Sequence, residues 1–113
     1  MIRRRSPHLE SPNTLAFMEW FGIHAAPARI LEVLNAAEGE VVPFDRILTQ
    51  AGTTKSGTRM ALVRMARAMP SGFYASAPGV GYKLTDIGLA ECREALADAA
   101  ARAADSASER RAA

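Results

Sequence analysis

The chain has 113 residues, 49% of them apolar but only 6% aromatic, with one cysteine and a formal charge of +2. That supports one domain with an aliphatic, Met-containing core and leaves no room for a second. Lone Cys92 excludes an internal disulfide and suits a reducing cytoplasm, and no apolar run approaches the ~18 residues of a membrane span.

Arg3, Arg4 and Arg5 resemble the start of a secretory leader, but Ser6, Pro7, His8 and Glu10 stand where its apolar stretch belongs, so a cytoplasmic protein is expected. Residues 1–12 are polar, basic and twice interrupted by proline, and read as a flexible arm. Asn13 or Thr14 then caps a short helix, residues 15–21, in which Leu15, Phe17, Met18, Trp20 and Phe21 are too apolar to be left in water. Gly22 ends it. Pro27 opens a second helix to about Ala37, with Ile30, Leu31 and Leu34 on one face and Gly39 as its stop. Val41 and Val42 form an extended stub. Pro43 starts a third helix whose Phe44, Ile47 and Leu48 make a buried stripe, ending at Ala51 and Gly52.

After a short turn, Thr53 or Thr54 caps a fourth helix that runs to about Met69, where Pro70 and Gly72 end it. Residues 73–76 and 82–84 read as strands around a Pro/Gly turn, a short hairpin. Thr85 caps a last helix from Asp86 to about Ala103, with Leu89, Cys92, Leu96 and Ala99 along one face. The tail, residues 104–113, lacks apolar anchors and reads as frayed or disordered. The result is a mainly α fold with a small β-hairpin, spanning residues 13–103. Its middle elements follow the order of a winged helix-turn-helix with extra helices at both ends.

Charge is not spread evenly along these elements. Between Asp45 and Asp86 there is no acidic residue, yet Arg46, Lys55, Arg59, Arg64, Arg67 and Lys83 fall there, and both flanks are slightly acidic. A block of one sign without internal counter-charge faces either solvent or a partner of opposite sign, and the common polyanion is nucleic acid. On a helical wheel, Thr58, Leu62, Met65, Ala66 and Met69 share one arc of roughly 100° and are expected in the core. Arg59, Arg64 and Arg67 lie opposite, with Ser56 and Met60 among them. An exposed helix made soluble by arginine is the simpler reading. The richer one places residues 54–69 in a DNA major groove. Lys55, Ser56, Arg59 and Met60 would then reach base edges, Arg64 and Arg67 phosphates, and Thr54 would let the backbone approach. Gly57 fits such an approach. Lys83, the charge nearest the turn at residues 78–81, is placed on the sugar-phosphate backbone. Tyr74 or Tyr82 could add a hydroxyl there, with Tyr82 the better candidate for packing inward.

Residues 58–84, with their arginine-rich helix followed by Gly79-Val80-Gly81-Tyr82-Lys83-Leu84, resemble the recognition helix and wing of OmpR-type effector domains. The stretch Tyr82-Lys83-Leu84-Thr85-Asp86-Ile87-Gly88 is similar to the wing exit of MarR- and PadR-like regulators, where it leads into a C-terminal helix. The chain departs from the OmpR type in having no receiver domain and in its long helix after the wing. The resemblance implies a winged-helix, DNA-binding fold.

Other chemistry finds little footing. His8, His24 and Cys92 have no zinc-site spacing, so no metal and no cofactor are expected, and neither paired carboxylates nor a phosphate loop point to an enzyme. Cys92 reads as a core residue and His24 as part of a helix junction. The arm at Arg3, Arg4 and Arg5 either enters a minor groove or only aids solubility. The expected function is sequence-specific binding of double-stranded DNA by a small transcription regulator. It is expected as a homodimer through the helices at residues 15–21 and 89–99, which otherwise cap the monomer's own core. The alternative is a winged-helix protein-interaction or assembly module of phage or plasmid type.

Overall fold

A proline without an amide hydrogen fits best where a helix has no use for one, and Pro12 opens the first helix, α1 (Pro12–Phe21), with Ser11 as its cap. In the computed structural model, which describes residues 10–112, the Ser11 hydroxyl accepts from the Thr14 amide at 3.0 Å. Glu32 lies at the same helix end and accepts from the hydroxyls of Ser11 and Thr14, a carboxylate where the helix dipole favours one. The cap is therefore Ser11 rather than Asn13 or Thr14, and Pro12 belongs to the helix rather than to the arm. Residues 3–5 lie outside the described residues.

Four more helices and three short strands follow among the described residues: α2 (Ala25–Ala36), β1 (Val42–Pro43), α3 (Phe44–Ala51), α4 (Lys55–Ala68), β2 (Tyr74–Ala77), β3 (Gly81–Leu84) and α5 (Asp86–Ala112). Helix α2 starts two residues before Pro27, which sits within its first turn where a missing amide hydrogen costs nothing. The core gathers around it. Phe17 of α1, Ile30, Leu31 and Leu34 of α2, Ile47 of α3, Met65 of α4, Leu84 of β3 and Cys92 of α5 are all fully buried. Phe21 extends this core to Phe73 by an edge-on ring contact at 5.4 Å between centroids.

The stub expected at Val41 and Val42 is β1, and it does more than extend the chain. It pairs antiparallel with β3, which also pairs with β2, so β3 is the centre of a three-stranded antiparallel sheet ordered β1-β3-β2. Two glycines permit the packing around β3. A Cβ on Gly81 would stand 1.9 Å from the Val42 carbonyl oxygen, and one on Gly88 would stand 2.2 Å from that of Phe73. Thr85 holds the same corner: its hydroxyl donates to the Gly72 and Phe73 carbonyls and accepts from the Gly88 amide, capping α5. Leu84, Thr85 and Gly88 thus each have a structural cause at this corner.

Helix α5 packs on α1 as far along as Ala99 and Arg102, which line a shallow groove with Leu15, Ala16 and Glu19. It continues to Ala112, past the end expected near Ala103. The stretch expected to be frayed is alanine-rich and contains no glycine or proline, so nothing in it stops a helix. Ala100, Ala101, Ala103 and Ala104 are exposed, although Arg102 between them pairs with Glu19 of α1. No helix among the described residues is long and apolar enough to cross a membrane.

Candidate nucleic-acid interface

Helices α3 and α4 are joined by three residues, Gly52, Thr53 and Thr54, and the turn is pinned from several sides. Gly52 is left-handed (φ 68°) and closes α3. Arg29 of α2 donates through Nε to the Ala51 carbonyl at 2.9 Å, satisfying one of the acceptors a helix end leaves open, and its other arm pairs with Glu10 at 2.7 Å. Thr53 and the buried Thr58 share a hydroxyl–hydroxyl bond of 2.6 Å across the turn. Thr54 is the cap of α4, its hydroxyl accepting from the Gly57 amide at 3.0 Å. A Cβ on Gly57 would come within 2.9 Å of that hydroxyl oxygen. Gly57 therefore has a reason in the cap itself, apart from any close approach to a ligand.

One side of α4 is buried through Thr58, Ala61, Leu62 and Met65, with Met69 just beyond its end. Ala66, expected in this stripe, is exposed, and Ala61 takes its place. On the wheel the buried arc is centred near Met65, and Ala66 falls past its edge while Ala61 falls within it. The rest of its surface carries Lys55, Ser56, Arg59, Met60, Arg64 and Arg67, all exposed, with Lys55 at the edge of the buried stripe. Val63 lies among them and was missed by the sequence reading. Its signal was available: it falls inside the arc that Arg59, Arg64 and Arg67 span.

Among the described residues none of the block's six basic side chains is in an ion pair, whereas Arg29 and Arg102, outside it, are both committed to carboxylates. The block is not, however, one cluster. Arg46 lines a groove between α2 and α3 with Val33, Val42 and Gln50, away from α4. Arg59 lies on the hairpin side of α4, its guanidinium 5.9 Å from the centroid of the Phe44 ring. There it helps line an open groove of about 310 Å³ with Phe44, Ser76, Gly79, Val80 and Tyr82.

The hairpin's two faces divide its side chains. Ser76 and Tyr82 pair directly across the strands and face the Arg59 groove, so Lys83, one residue on, projects from the other face, opposite Ala75. The Phe44 amide donates to the Val80 carbonyl at 3.2 Å, tying the start of α3 to the hairpin turn. Both tyrosine rings pack on the fold, as expected of Tyr82. Tyr74 donates its hydroxyl to the Leu62 carbonyl of α4 at 3.1 Å, and burial together with the neighbouring Tyr82 pushes its pKa up. Tyr82 packs its ring against Phe44 and Tyr74 but makes no such hydroxyl bond.

No group of three or more potential metal ligands occurs among the described residues. Cys92 is fully buried, and burial, with a smaller contribution from Glu91, pushes its thiol up to about 12. His24 occupies the cap position of α2 without a side-chain capping bond. Compared with protein-family models, curated proteins and solved structures, the chain matches none.

Proposed function

We propose that the chain is a winged helix-turn-helix module that binds duplex DNA as a small transcription regulator, with α4 in the major groove and the β2–β3 hairpin against the sugar-phosphate backbone. The observation that carries this reading is the exposed side of α4. It has four cations, Lys55, Arg59, Arg64 and Arg67, no carboxylate along the helix, and no internal ion pair to neutralise them. Such a surface leaves positive charge uncompensated unless it meets an anion, and arginine matches both phosphate and guanine edges. A short turn before the helix and a hairpin after it are the accessory parts this mode of binding uses. Thr54, with its hydroxyl engaged in the cap, contributes by positioning the helix end. Lys55, Ser56, Arg59 and Met60 are assigned to base edges, Arg64 and Arg67 to phosphates, and Lys83 to the backbone from the hairpin's outer face.

The test is a mobility-shift titration with mixed-sequence duplex. Retardation is expected at low salt and should fall steeply as salt rises, because binding releases condensed counterions. Replacing Arg59 and Arg64 together by alanine should abolish sequence-specific binding while the thermal melt stays nearly unchanged, since both side chains are exposed. A protein that retards no duplex at low salt, as expected of a module that only docks other proteins, would defeat the reading.

A further inference from the structure

Two large apolar side chains stand among the arginines of α4, none of which is in an ion pair among the described residues. Met60 is 54% exposed and Val63 47% exposed, and neither belongs to the hydrophobic core or to the partly buried residues packed against it. The other large exposed apolar residues are scattered on α1, ahead of β1, at the hairpin turn and on α5. Isolated exposed apolar residues are ordinary, but these two are neighbours at i and i+3. Arg59 and Arg67 lie four residues either side of Val63, and Arg64 lies four residues after Met60, so cations surround the pair. Val63 is also a poor choice for helix propensity at a solvent position, and phosphate binding has no use for it.

Resting on the DNA-binding reading above, we propose that Met60 and Val63 read the 5-methyl group of a pyrimidine, thymine in unmodified DNA, in the major groove. The bases there display hydrogen-bond donors and acceptors, and thymine's 5-methyl is the apolar group set among them. An apolar pair on a helix otherwise built for phosphate and base edges has that methyl as its chemical complement. Arg64 and Arg67 bring the helix to the groove through phosphates, and Arg59 donates to guanine beside the methyl. The site it recognises therefore contains thymine at the positions beneath the middle of α4, with guanine on the Arg59 side.

The experiment selects bound duplexes from a random pool with the full chain, then compares the recovered sequence made with thymine and with deoxyuridine, which lacks only the methyl. Parent protein should bind the uracil version about fourfold more weakly for each contacted methyl, the worth of one buried carbon group. Val63→Ala and Met60→Ala should each bind the two versions more nearly alike, with unchanged thermal melts. Duplex binding that is sequence-specific but indifferent to the methyl overturns this inference and leaves the DNA-binding reading standing. Failure to retard any duplex at low salt overturns both.

Discussion

Cys92 shows how one residue carries a pH dependence. Its thiol is neutral in the fold, with the pKa raised from 9.0 to about 12 by burial, so the folded state disfavours the thiolate that the unfolded chain forms freely. A raised pKa contributes stability that is intact below the unfolded value and drains away as pH climbs through the folded one. Stability measured by urea unfolding should therefore fall between pH about 9 and about 12, and Cys92→Ala should flatten that fall. It should not remove it, because Tyr74 is shifted in the same direction. Gly81 is the second residue with a sharp consequence. Its hydrogen stands where a methyl would meet the Val42 carbonyl at 1.9 Å, and that obstacle is backbone. Gly81→Ala should cost about 2–3 kcal/mol in the same unfolding measurement, the range of an overpacked core site. That cost was not legible beforehand. Gly81 read as part of a turn, because the partner it must admit, β1, lies almost forty residues earlier in the chain. Val63 is hidden for a different reason: a charge pattern picks out the arginines and gives no weight to the apolar residue between them.

At the scale of the element, α4 contains a small conflict between propensity and capping. Alanine in place of Gly57 would favour the helix by up to about 1 kcal/mol, but its Cβ would crowd the Thr54 hydroxyl that caps the helix. Thr54→Ala alone should cost about 1 kcal/mol. Gly57→Ala should be neutral or destabilising in the parent and stabilising in the Thr54→Ala background, a coupling that a double-mutant cycle of unfolding free energies measures directly. Helix identities were legible because each has a strong apolar stripe or a proline or glycine boundary. The ends were less so. Ser11 is a local signal, serine before a proline at the first helical position, but reading both prolines as breaks in an arm hides it. The far end of α5 has no apolar anchor to announce it and is carried by alanine propensity instead. The candidate site followed the same division. The α4 cations were found from local sequence alone, but the separation of Arg46 and Lys83 from them depends on how α2 and the hairpin pack.

For the whole molecule, α1 and α5 pose the question of assembly. They cover the core through Phe17, Cys92 and Ala95, and Trp20 donates to Glu91 at 3.3 Å, so the pair already has a use within one chain. The homodimer proposed from the sequence would add an outer use, through Leu15 and Trp20, each 39% exposed. If it forms, sedimentation equilibrium should show a dimer that Leu15→Ser combined with Trp20→Ser converts to monomer while the melt changes little. A parent sedimenting as a monomer defeats it. A final consequence comes from the pairing of β1 with β3. The strand that enters α3 is bonded to the strand that leaves the hairpin, so the chain between them, including α3, α4 and β2, is a closed loop of about forty residues. Closing a loop of that length costs entropy before its own contacts repay it. The latch therefore belongs late in folding and early in unfolding, and weakening it shortens the lifetime of the native state more than it slows the route to it.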